Sequence, residues 1–199
     1  MILVIAARLV AVAGLVAVWF LTQRLLGQRG LAEGEIGDKI HQWLEGPNRF
    51  LHRRPMAARL LLIASSVGID ALGLAVLGWG IFGPSVRPLL GLTILMVLRQ
   101  LSQYLTALPG PPGMIWRDPG VPSLFVTYGV ANDLFFSGHT ALAVFGALTL
   151  AAISPTLGYV GAALALFEIF AVLALRAHWT MDVYAGLVTA LLVFFATRA

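Results

Sequence analysis

The sequence predicts an all-α protein built as a six-transmembrane-helix bundle, and three observations predict it. Of 199 residues, 59% are hydrophobic and only 11% are charged, where a soluble domain carries about 25% charged residues. The mean hydropathy is +0.90. Apolar stretches recur at 2–26, 56–81, 86–108, 134–154, 156–175 and 181–197, each near the roughly 20 residues that cross about 30 Å of hydrocarbon. Together they consume most of the chain and leave no room for a separate soluble domain, so 1–199 reads as a single integral membrane domain. A water-soluble enzyme, a disordered chain and a coiled coil are excluded on the same grounds.

The first stretch begins without a charged leader and runs too long for a simple signal-peptide core, so it is expected to be a retained helix. Gly83-Pro84 separates the second and third stretches, and Ser154-Pro155 the fourth and fifth. Both pairs break helices and leave only short turns. The long connections are 27–55 and 109–133, with a tight one around 176–179. Six crossings place these three on one face and the termini on the other.

In the first long connection Ile36, Ile40, Trp43 and Leu44 recur at helical spacing among Asp38, Lys39, Gln42 and Glu45. This reads either as an interfacial helix lying apolar side down or as a plain structural foot. Pro109-Gly110-Pro111-Pro112-Gly113 cannot continue a helix and is expected to turn the chain into a compact loop over the bundle. Trp116, Arg117 and Asp118 would then face lipid headgroups.

The absence of cysteine excludes disulfides and thiolate metal sites. A net charge of +4, from 13 basic against 9 acidic residues, suits contact with anionic headgroups and forms no nucleic-acid-binding stripe.

Two motifs carry chemistry. Ser137-Gly138-His139-Thr140 stands where the fourth stretch begins, and His178-Trp179-Thr180-Met181-Asp182 where the sixth begins, so one helical hairpin brings both histidines to the same face. His178 and Asp182 are spaced i,i+4, which on a helix sets the carboxylate beneath the imidazole. Asp182 can then fix the tautomer of His178 and leave its other nitrogen free to attack phosphorus. His139 suits the complementary acid/base role. Ser137, the backbone at Gly138, and Thr140 can donate to phosphoryl oxygens at a helix N-terminus. Two other readings of the same residues are a metal site made of His139, His178 and Asp182, and two interfacial histidines with ordinary structural bonds.

With these residues in view the chain resembles the sphingomyelin synthase and ceramide phosphoethanolamine synthase group, within the phosphatidic acid phosphatase type 2 superfamily. Asn132-Asp133-Leu134-Phe135-Phe136-Ser137-Gly138-His139-Thr140 looks like that group's first catalytic motif, with Asn132 where glycine is usual. His178-Trp179-Thr180-Met181-Asp182-Val183 resembles the second, with Trp179 in place of tyrosine. Arg99 to Pro111 resembles the segment that leads from the third helix into its loop.

The resemblance implies a six-helix fold and a metal-independent, cofactor-free exchange through phosphohistidine, with His178 as nucleophile, Asp182 orienting it and His139 as acid/base. A glycerophospholipid would lose diacylglycerol, and a lipid alcohol such as ceramide, or water, would take the headgroup phosphate. Asp133 occupies the group's extra acidic position, to receive a choline or ethanolamine nitrogen or to bond a histidine; a cap for the fourth helix is its structural alternative. The superfamily's usual Ser-Arg before the second histidine is missing, and His52-Arg53-Arg54-Pro55 resembles the end of its first phosphate motif without the upstream lysine. A diester is therefore favoured over a phosphate monoester.

Arg99, Asp70 and Glu168 fall inside the apolar stretches, where charges face a protein interior or a water-lined cavity. Arg99 is a candidate phosphate contact, helped by Arg54 or Arg176, and Glu168 would pair with Arg99 or line the headgroup cavity. Asp70 reads as a structural hydrogen-bonding group. The rival enzymatic reading is a lipid phosphate phosphatase, and the rival outside enzymes is a small transporter or lipid-binding membrane protein. The positive-inside rule points the catalytic face to the cytoplasm, whereas the resemblance points it outward, across a cell inner membrane; the expectation follows the resemblance.

Overall fold

The computed structural model describes residues 2–28, 37–128 and 134–198. These residues form eight helices and no strand: α1 (Ile2–Leu26), α2 (Lys39–Trp43), α3 (Glu45–Arg53), α4 (Pro55–Phe82), α5 (Arg87–Leu105), α6 (Gly138–Ile153), α7 (Pro155–Ala174) and α8 (Thr180–Arg198). Of these, α1, α4, α7 and α8 are long and apolar enough to cross a membrane. The remaining two long helices differ from them for visible reasons. α6 has 16 residues, and α5 carries Arg99, Gln100 and Gln103 in its second half.

Breakers set the ends. Pro55 and Pro155 each open a helix at its first position, where a missing N–H costs nothing. α6 starts at Gly138 rather than at Leu134, because Ser137 caps it: its hydroxyl accepts from the Thr140 N–H at 3.3 Å. Among its described residues, the first long connection forms the short α2 and α3 rather than one continuous helix, and Ile36 of the expected stripe lies outside the described residues.

The core of the bundle is α4, α6, α7 and α8. α6 and α7 pack through small residues: a side chain at Gly161 would meet the Ala147 Cα at 2.7 Å, and one at Gly158 the Ala151 Cβ at 2.7 Å. Small residues allow the close backbone approach that drives helix association in lipid, where no hydrophobic term separates helix from solvent. α1 differs: none of its most apolar window is buried.

The connection after α5 does not simply lie over the bundle. It descends along α4 to Asp70, midway down that helix, whose carboxylate accepts from the Ser123 hydroxyl (3.0 Å) and from the backbone N–H groups of Leu124 (3.0 Å) and Phe125 (3.0 Å). Phe125 fills the space opposite Gly73, where a Cβ would lie 2.5 Å from its ring. Asp70 thus supplies acceptors for irregular backbone placed against the helices, a setting in which unpaired N–H groups are costly.

Candidate active site

The turn between α7 and α8 brings His178 into the bundle. α7 ends at Ala174 with Leu175 as its cap, Arg176 takes a left-handed φ of 52°, and the Ala177 N–H returns to the Val172 carbonyl at 2.8 Å. The following Asp182 sits in the first turn of α8 with no exposed surface, where the helix dipole favours an anion. Its Oδ2 accepts the Trp179 N–H at 2.9 Å and stands 3.7 Å from His178 Nδ1. That is ion-pair range rather than a hydrogen bond, as is common before a substrate tightens a site.

The start of α6 docks on the same turn. The Ser137 N–H donates to the Asp182 carbonyl at 3.0 Å, and α8 comes close enough at Gly186 that a Cβ there would sit 2.6 Å from the Ser137 carbonyl oxygen. This fixes His139 opposite His178, with ring centroids 6.2 Å apart. Both rings are buried, 8% and 4% exposed, and both line a cavity of about 70 Å³ together with Arg99, Trp116, Trp19 and Gly138. By the space one water needs, that is room for about five waters or one phosphoryl group. His139 Nε2, His178 Nδ1 and Asp182 Oδ1 have no hydrogen-bond partner.

Arg99 reaches the cavity from α5. Its Nε donates to the Phe136 carbonyl (3.2 Å), and one terminal nitrogen donates to Gln23 (3.2 Å) and Gln103 (3.1 Å). The guanidinium lies directly over Gly138, where a Cβ would approach its Nε to 2.7 Å. Glycine at 138 is what allows the cation to sit against the helix N-terminus beside His139.

The other residues expected at the site fall into place differently. Ser137 and Thr140 turn their hydroxyls on one another at 3.1 Å, and neither lines the cavity. Glu168 is fully buried against α4, accepting from the Ser65 hydroxyl at 2.6 Å, away from the cavity wall. Arg176 is engaged by the Pro112 carbonyl (2.6 Å), the His41 carbonyl (3.2 Å) and the Glu45 carboxylate. Arg54 is exposed at the start of α4 and is also off the wall. Asp133 lies outside the described residues. As for the metal reading, no group of three or more His, Asp or Glu side chains gathers for an ion among the described residues.

Sequence reasoning passed over several groups at the site. Trp116, expected at headgroup level, instead stands edge-on to His139 at 5.2 Å and packs on Tyr128 at 4.8 Å, because its loop is drawn inward by Asp70. His41 contacts the backbone of the turn that carries His178: its Nε2 donates to the His178 carbonyl at 3.0 Å, and its ring stacks on Trp179. Asp38 caps α2 and also accepts the Thr180 N–H and hydroxyl, both at 2.7 Å. Burial would raise the Asp38 carboxyl, but the donors of Thr180 and His41 outweigh it and hold its pKa below the ordinary 3.8. Burial lowers the His41 pKa below its ordinary 6.5, more than the nearby Asp38 and Asp182 raise it. The spacing Asp38-x-x-His41, a second acid and imidazole on one helical face, was the signal available.

Comparison with known proteins finds a match over about the last third of the chain, which carries these motifs. Residues 130–199 match a family described as PAP2 superfamily C-terminal, which supports membership of that superfamily, whose members are phosphatases and phosphotransferases acting on lipid phosphates. No curated protein and no solved structure matches the chain.

Proposed function

We propose that this protein is an integral membrane phospholipid phosphotransferase or phospholipase C-like enzyme of the kind the sphingomyelin synthase resemblance implies. One observation carries the reading: His139 at the start of α6 and His178 in the turn between α7 and α8 flank a single cavity with Arg99, and His178 is backed by a buried carboxylate. Six helices would cross the inner membrane, with the cavity opening to the extracytoplasmic side.

In the first step the free nitrogen of His178 attacks phosphorus, the bond from phosphorus to the diacylglycerol oxygen breaks, and His139 delivers its proton to that oxygen. Asp182 holds His178 Nδ1–H and stabilises the positive ring. Near-attack contacts of about 3–3.5 Å let one phosphorus face both rings. In the second step His139 takes the proton of a lipid alcohol such as ceramide, or of water, whose oxygen attacks phosphorus and releases His178. Arg99 stabilises charge on the equatorial oxygens throughout. Asp133, four positions before Ser137 in sequence, is assigned to the headgroup nitrogen.

A second reading, hydrolysis of a phosphate monoester such as phosphatidic acid, is favoured by the superfamily match itself. The test is a mixed lipid panel turned over by reconstituted protein in excess chelator, with and without ceramide, beside His178→Ala. Chelator-resistant diacylglycerol that disappears in the variant is expected, and the phosphate-bearing product separates transfer from hydrolysis. Preference for phosphatidic acid over phosphatidylcholine and phosphatidylethanolamine would replace the diester reading. Solute counterflow without lipid cleavage would replace enzyme with transporter. Protease accessibility of the two long connections reads the orientation.

A further inference from the structure

α1 is held to the bundle at two points. Near one end Arg8 donates to the carbonyls of Gly80 (3.3 Å), Ile81 (2.7 Å) and Gly83 (3.3 Å). Near the other, Gln23 accepts from Arg99 (3.2 Å) and Gln100 (2.9 Å). These staples are 15 residues apart, about 22 Å along the helix, and between them no apolar side chain of α1 is fully buried, although Val12 packs partly against the core. The gap is a cleft of about 520 Å³ facing α5, lined by Leu15, Val18, Thr22, Met96 and Val97 among others.

The cleft meets the catalytic cavity at Trp19 and Met96, which line both. A narrower cleft on the other flank of α1 ends at the same two side chains. The Trp19 ring lies 5.3 Å from the Arg99 guanidinium, and its Nε1–H is buried without a partner, as is Gln100 Oε1. Moving inward, the protein therefore offers an apolar channel, an unused N–H donor, a guanidinium and two imidazoles. A phospholipid presents acyl chain, ester carbonyl and phosphate in that same order. Plain hydrocarbon has nothing to offer the N–H, whereas an ester carbonyl does.

We propose that the cleft between α1 and α5 seats an acyl chain of the phospholipid whose headgroup reaches His139 and His178, with Trp19 as the partition that meets the glycerol ester. This rests on the lipid reading above and adds the route and the chain-binding element to it. Bulk in the cleft should then penalise long-chain substrate alone. In reconstituted full-length protein, Thr22→Trp and Val97→Trp should each lower kcat/KM for a long-chain phosphatidylcholine about tenfold. Turnover of dihexanoyl phosphatidylcholine, which needs no chain site, should stay at the wild-type level. Leu166→Trp on the exposed face of α7 should change neither.

A second arm does not depend on turnover. Phosphatidylcholine with a diazirine in mid-chain, photolysed in nanodiscs, should label Thr22, Met96 and Val97 several-fold above Leu166, and Thr22→Trp should abolish the excess. Equal losses for long and short lipids, no loss for either, or labelling spread evenly over α1 and α7 overturns the proposal. If the wild type turns over neither lipid, the reaction assignment fails and the labelling pattern alone decides the cleft.

Discussion

The protein contains two acid–imidazole pairs of nearly the same geometry. His178 Nδ1 stands 3.7 Å from Asp182, and His41 Nδ1 stands 3.7 Å from Asp38. Each acid also accepts backbone N–H groups at the start of a helix, and both imidazoles are buried. What separates them is the far nitrogen. In His41 it is committed to the His178 carbonyl, which only accepts, so Nε2 must carry the proton. In His178 the ring opens onto a cavity shared with His139 and Arg99. A pair of residue types does not define a reactive site; access of one nitrogen to substrate does.

If the two pairs differ in this way, removing them should have effects of different size and kind. His178→Ala should lower lipid turnover about 10⁴–10⁶-fold, as loss of a nucleophile does, while the folded bundle survives by circular dichroism. His139→Ala should cost about 10²–10⁴-fold, the range of a general acid, and turnover at wild-type rate would remove it from the mechanism. His41→Ala should lower kcat by about 10²-fold through displacement of His178, leaving KM for lipid unchanged because His41 touches no substrate. His41→Gln keeps an N–H for the His178 carbonyl and should recover part of the loss. An Ala variant that loses KM and kcat together would make the two pairs equivalent.

The pairs can also be separated by pH. The lowered pKa of His41 means the unfolded chain binds its proton first. Its contribution is therefore fully present above the ordinary 6.5 and declines as pH falls from there toward the folded value. Asp38 contributes stability above its ordinary 3.8, lost as pH falls through its lower folded value. Thermal unfolding from pH 8 to pH 5 should thus fall less steeply in His41→Gln than in wild type, and parallel curves would contradict burial of a neutral ring. The smallest effect belongs to Glu45, a half-exposed carboxylate whose pKa is lowered by Arg49 and Arg176. Glu45→Gln should leave turnover at the wild-type level, since solvent screens such pairs.

The long apolar elements were legible because lipid imposes length and composition on a helix independently of its neighbours. The His139 and His178–Asp182 motifs were legible because their parts are close in sequence and begin helices. Positions fixed by distant partners were not. Trp116 follows a proline-rich segment that resembles an interfacial loop, and only the carboxylate of Asp70, 46 positions earlier, draws it to His139. The expected union of Arg99 with Glu168 assumed that two charges in apolar helices seek each other. The glutamines at 23 and 103 and the serine at 65 meet these charges instead, and single polar residues in separate helices leave no periodic signal. Ser137 was read for its hydroxyl, yet its position before Gly138 made it a cap first.

The partner of Asp70 lies 54 positions downstream in the Leu124 backbone. A ribosome adding about 5–20 residues per second makes Asp70 some 3–10 s before that backbone exists. For this interval the nascent helix carries a carboxyl group with none of its final donors, midway along a segment long and apolar enough to cross a bilayer, where a charge is tolerated least. Biogenesis must therefore hold α4 in a wetter or chaperoned setting until the second long connection has been synthesised. Asp70→Asn, which no longer charges while it waits, should insert more readily in a translocation assay even as it weakens the finished protein.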